Sequence, residues 1–150
     1  MEFNSRNINR FLFFKLPSAY WSGVRVKEIN EEICKVTVRF KWFNQNPFKS
    51  MYFAVQAMAA ELSTGALVMR EIQRSGKKVS MLVANNNGTY TKKAVGKITF
   101  TCDEARKVKE AIEKSIHTKE SQQFWLKSTG IDEQGDRVSV MNFEWTVKAK

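Results

Sequence analysis

Between Met51 and Arg74 the chain runs through an alanine-rich, largely apolar stretch that reads as one helix, opened by the polar loop Asn44-Gln45-Asn46-Pro47 and closed at Ser75-Gly76, where glycine supplies a C-terminal cap. At 1.5 Å per residue such a helix is about 36 Å long. With alanine on several faces it has no broad polar side to turn to water, so the rest of the chain must enclose it, and a curling antiparallel sheet can do so. One residue conflicts with that burial. Glu61 lies near the middle of the run, and a buried carboxylate costs several kcal/mol unless it is paired, neutralised or turned toward a cavity where its charge is useful.

The flanking sequence supplies the sheet. Gly23–Asn30 and Ile33–Phe40 alternate apolar and polar residues around the break Glu31-Glu32, which predicts two paired antiparallel strands. After the long helix, strands are predicted at 79–84 and 89–101, separated by the turn Asn85-Asn86-Asn87-Gly88, with an irregularity at Ala94-Val95-Gly96. A solvated amphipathic helix follows over 103–117, with Ala105, Val108, Ile112 and Ile116 inward, then strands at about 122–128 and 137–148. In the last strand Ser139, Met141, Phe143, Trp145 and Val147 share one face. At the start, Asn4 or Ser5 caps an aromatic amphipathic helix running to about Lys15 and stopped by Pro17, expected to lie over an edge or end of the sheet. No repeat, low-complexity tract or linker interrupts the 150 residues, so a single α+β domain over 1–150 is expected.

Composition narrows the functional classes. The net charge of +10 divides evenly between the two halves of the chain, whereas nucleic-acid binding concentrates cations in stripes or tails, so nucleic acid is not the expected partner. Cys34 and Cys102 fall in strand-like runs and fit buried thiols of a reducing compartment, which points to the cytoplasm. Neither a signal-peptide pattern nor a membrane span is read, and no membrane partner is expected. His117, the single histidine, sits on the polar late helix and reads as a surface residue. Serine-hydrolase elbows, zinc clusters and phosphate-binding glycine loops are absent, so neither a metal nor a cofactor is expected.

The spacing around the long helix carries a resemblance. Asn46, then Tyr52-Phe53-Ala54 at the helix start, Glu61 nine residues after Tyr52 and Gly65 four further on match a pattern of Asn, His-Gly-Gly, Asp or Glu, and a small residue. With Tyr90-Thr91-Lys92-Lys93-Ala94-Val95-Gly96 as the following strand, the chain resembles the hotdog-fold thioesterase-like superfamily. The likeness runs from about Phe11 to Lys148 and is strongest to the uncharacterised DUF4442 group, related to phenylacetate-pathway thioesterases. It implies a long central helix wrapped by a curved antiparallel sheet, and hydrolysis of an acyl-CoA or acyl-carrier-protein thioester. The alternative is a non-catalytic hotdog protein that binds acyl or other apolar ligands in the same place, because His-Gly-Gly is replaced.

In such enzymes the helix N-terminus of one subunit polarises the carbonyl while the acid comes from the other, so a homodimer or tetramer is implied. Tyr52 and Glu61 are half a turn out of phase on one helix, which agrees with convergence between copies rather than within one. The candidate catalytic residues are Glu61, as general base or nucleophile, and Asn46, which either orients carbonyl or water or merely satisfies its loop. Tyr52, Phe53, Ala54, Thr64 and Gly65 are candidate substrate contacts: Tyr52 as pocket wall, Phe53 or Ala54 through a backbone N–H, Thr64 as an orienter of Glu61, Gly65 for close helix packing. Lys92 and Lys93 are either coenzyme A phosphate contacts or a solvated face.

Overall fold

The computed structural model describes residues 1–150. Helices α1 (Ser5–Lys15) and α2 (Pro17–Trp21) precede strands β1 (Arg25–Ile29) and β2 (Cys34–Arg39) and a single 3₁₀ turn, Trp42–Asn44. The long helix α3 (Phe53–Ser75) leads into β3 (Val79–Tyr90) and β4 (Lys97–Cys102), and α4 (Ala105–Thr118) into β5 (Gln122–Ile131) and β6 (Arg137–Ala149). All six strands form one antiparallel sheet in the order β1-β2-β4-β5-β6-β3. Helix α3 lies across β1, β2, β4, β5 and β6, giving the wrapped-helix arrangement expected of a hotdog fold.

The core follows from patterning. On β6 Met141, Phe143, Trp145 and Val147 are buried toward α3, as the alternation predicts. Ala59, Ala60, Leu62, Ala66 and Val68 of α3 meet them together with Val36, Val38, Ile98, Phe100 and Leu126. Gly130 of β5 allows a close approach, since a Cβ there would lie 2.5 Å from the Phe100 ring. Helix α1 begins on Asn4, whose Oδ1 accepts from the Asn7 N–H at 2.9 Å. Asn9 clips it to β1 by exchanging two hydrogen bonds with the Val26 backbone. Cys34 and Cys102 face each other across β2 and β4 as buried free thiols, and burial pushes both well above the usual thiol range.

Helix α1 ends at Lys15 ahead of Pro17, as expected, and Pro17 then starts the separate short helix α2, where its missing N–H costs nothing. Two expectations are corrected. Asn85-Asn86-Asn87-Gly88 is no turn: β3 continues through it to Tyr90 with one irregularity between Val83 and Asn85. The long partner β6 offers backbone groups along that whole length, and the asparagine side chains find cross-strand partners, Asn85 donating to Glu144 and Asn87 accepting from Asn142, both at 2.9 Å. The irregularity at Ala94-Val95-Gly96 is instead the complete break between β3 and β4. As the last strand of the order, β3 leaves a 12-residue edge open.

Candidate functional site

Glu61 has no hydrogen bond and no ion pair through its carboxylate in a single copy of the chain. The carboxylate is folded over Gly65: a Cβ at Gly65 would lie 3.3 Å from Glu61 Oε1 and 3.1 Å from the Trp145 ring. Glycine therefore lets acid and indole share one patch of α3. Burial against this apolar wall raises the Glu61 carboxyl from an ordinary 4.5 to about 7. Thr64 does not orient that carboxylate, because its hydroxyl donates to the Glu61 backbone carbonyl at 2.8 Å and accepts from Trp145 Nε1 at 3.0 Å. The indole bond instead fixes the ring beside the acid.

At the other end of the motif lies a cavity of about 490 Å³, walled by Phe48, Met51, Tyr52, Phe53, Gln56 and Tyr90 among others. The start of α3 opens onto it. Tyr52, the residue before the helix, gives no side-chain cap and no acid occupies the first turn, so the Phe53 and Ala54 N–H groups retain the donor capacity of an uncapped helix end. The Tyr52 and Phe53 rings meet edge to face at 5.1 Å, and Phe53 meets Tyr90 at 6.2 Å, forming an aromatic rim. Glu61 does not line this cavity; it sits about 12 Å along the helix from Phe53.

Asn46 is spent on its own loop. Its Oδ1 accepts from the Phe48 and Ser50 N–H groups and its Nδ2 donates to Ser50 Oγ and the Met51 carbonyl. It shapes the cavity wall while Lys49 turns through φ +60°. Lys92 is likewise committed, with its ammonium 2.6 Å from Asp132 and 2.7 Å from Asp136. That pairing holds the Asp132 carboxyl below its ordinary range. Lys93 is exposed at the rim, 3.3 Å from the Phe48 carbonyl.

Sequence reasoning missed Gln56. It is 4% exposed, lines the cavity one turn into α3, and its Oε1 accepts from Ser139 Oγ of β6 at 2.8 Å. Its Nε2 makes no bond to the protein and is not sealed off, so the amide presents a fixed N–H donor to the cavity. A polar residue on an otherwise apolar stretch was the available signal, overshadowed by the charge of Glu61. No three or more His, Cys, Asp or Glu side chains converge as a metal set.

Sheet order and wrapped helix together define a hotdog-fold protein. Residues 5–147 match the family described as "Domain of unknown function (DUF4442)", and the chain belongs to that family. Among solved structures it is similar to a Pseudomonas aeruginosa protein of unknown function described as a probable thioesterase, with a TM-score of 0.79, 19% identity and coverage of 97% of this chain and 96% of that one. A protein of unknown function from Chlorobaculum tepidum gives a TM-score of 0.83 at 13% identity, covering 97% and 94%. A Haemophilus influenzae thioesterase gives 0.72 at 16% identity, covering 99% and 93%. No curated protein matches the chain.

Proposed function

We propose that this protein, as one domain, hydrolyses an acyl thioester at a site built between two copies, with Glu61 of one copy acting at the α3 start of the other. The observation that carries the proposal is Glu61 itself: an unpaired carboxylate at about 7, held by Gly65 and Trp145 on the one stripe of α3 that its own sheet leaves partly open. Ala54, Ala57, Met58 and Glu61 form that stripe at helical spacing, and all are half-buried. Nearby, the open edge of β3 offers unpaired backbone groups along its length. Edge pairing of two β3 strands would cover both features, and a burial that is incomplete in one copy would become complete in two.

Within such a site each group has a distinct task. The Phe53 and Ala54 N–H groups and Gln56 Nε2 donate to the thioester oxygen as charge develops on it. Glu61, ionised above pH 7, either removes a proton from water or attacks the carbonyl carbon directly, with the thiolate leaving. The acyl group lies against the aromatic rim. Acyl-CoA and acyl-carrier-protein thioesters share the reacting group, and Lys93 at the rim is the free cation for a carrier phosphate, whereas Lys92 is neutralised by two carboxylates.

A second reading, binding of acyl or other apolar ligands without turnover, is favoured by one specific observation. Tyr52 and Phe53 stand where the resembling enzymes carry histidine and glycine, and their rings crowd the donor end of α3. A panel of acyl-CoA substrates separates the two. Thiol release by the wild type that falls at least about 100-fold in Glu61→Gln supports the hydrolase. Absence of turnover with retained acyl-CoA binding in both proteins supports the binder.

A further inference from the structure

The surface built by α1, α2 and the Trp42–Asn44 turn carries large apolar side chains in the open. Phe14 is 70% exposed, Trp21 59%, Trp42 81% and Phe43 58%. Phe14, Trp21 and Phe43 form one patch with Phe13, and Trp42 precedes Phe43 in the turn. The Phe13 ring lies 4.9 Å from Phe14 and 6.4 Å from Trp21, and Trp21 and Phe43 flank a common surface depression. Singly exposed apolar residues are ordinary, but a contiguous aromatic group from three separate elements marks an interaction surface.

Charge identifies the occupant. Neither residues 3–27 nor residues 33–60 contain an Asp or Glu, although the halves of the chain have equal net charge. Arg6, Arg10, Lys15, Lys41 and Lys49 belong to these segments, and none pairs with a carboxylate. Arg10 shares a surface depression with Phe14, and Lys41 lies against Gly23, two residues from Trp21. Protruding Trp and Phe side chains beside such unpaired cations have the chemistry that enters the headgroup region of an anionic bilayer. A second copy fits poorly here, since an isologous contact would set the unpaired cations of one copy against those of the other.

We propose that this face docks on anionic lipid bilayers, with Trp21, Trp42 and Phe43 entering the interface. No helix is long and apolar enough to cross a membrane, and surface attachment needs none, so the proposal departs from the expectation of no membrane partner. Docking would also bring the cavity to the bilayer. The Asn44 carbonyl accepts from the Tyr52 N–H at 2.9 Å, so the aromatic turn and the start of α3 are directly linked. Attachment itself does not depend on the hydrolase reading.

Co-sedimentation of the full chain with vesicles of phosphatidylcholine alone, or with about 30% phosphatidylglycerol added, tests the proposal. Binding at least about tenfold tighter to the anionic vesicles, weakened by salt and accompanied by a blue shift of tryptophan emission, is expected. The double variant Trp42→Ala/Phe43→Ala, altering side chains that project into solvent, should lose about tenfold in binding, while Leu82→Ala, equally exposed on β3, should not. Failure to sediment, equal binding to both vesicles, or loss in Leu82→Ala alone would overturn it. So would a wild-type oligomer that Trp42→Ala/Phe43→Ala dissociates, or a preference for an oligonucleotide over vesicles lost in that variant.

Discussion

At the scale of single residues, Glu61 is held away from water without a partner, and its elevated carboxyl fixes two pH dependences of different origin. If it works as the ionised base or nucleophile, thiol release rises with pH through about 7 and levels above it, and Glu61→Gln removes the turnover that generates the profile. Stability moves the other way. The folded chain holds the Glu61 proton more tightly than the unfolded chain, so this contribution is complete below about 4.5 and is lost as pH rises to about 7. The loss is up to about 3 kcal/mol by the value of a pKa unit. Urea titrations at pH 5 and pH 8 should show a smaller fall for Glu61→Gln than for the wild type. Equal falls would mean that Glu61 is already paired in solution. Glu61 was legible in the sequence because a charge on an apolar helix has few bland explanations. Gln56 was not, because its value depends on Ser139, 83 residues away, fixing its amide.

Among the elements, α3 is tied to the sheet by three buried polar links, Gln56 to Ser139, Ser63 to Ser128 and Thr64 to Trp145. The Ser63 and Ser128 hydroxyls are fully buried and 2.7 Å apart, and Ser63 also donates to the Ala60 carbonyl of its own helix at 2.7 Å. Ser63→Ala should cost about 1–2 kcal/mol by leaving Ser128 without its partner, and Ser63→Ala/Ser128→Ala less than the sum of the single changes. Denaturant midpoints with unchanged slopes would show it. The same elements show how far local pattern reaches. The alternation of β6 and the cap at Gly76 were readable because they depend on neighbours in the chain. The course of β3 was not, since Asn85–Gly88 has turn chemistry and only pairing with β6, more than 50 residues later, makes it extended.

For the whole molecule, the monomer has two unfinished features: an open β3 edge, and beside Trp145 an α3 stripe with an unpaired acid. The proposed two-copy site would resolve both, bringing Glu61 to an α3 start that its own helix holds half a turn out of phase. A sheet-wrapped helix could be read before the structure because the long alanine-rich helix and strand pattern allow few enclosures, and the family resemblance identified that enclosure as a hotdog fold. The expectation of a homodimer came only from the family resemblance, since no residue pattern within one chain reports a register between two.

Mixing two inactive variants tests the two-copy site most directly. Glu61→Gln lacks the acid, and Gln56→Leu/Ser139→Ala lacks the cavity donor while leaving neither partner of that hydrogen bond orphaned. When the two are unfolded together and refolded in equal amounts, about half of the dimers are mixed and each mixed dimer has one intact site. Thiol release should then recover to about a quarter of the wild-type rate, well above that of either variant alone. A mixture no more active than its components, made from variants each shown to fold and to exchange subunits, would contradict a site shared between copies.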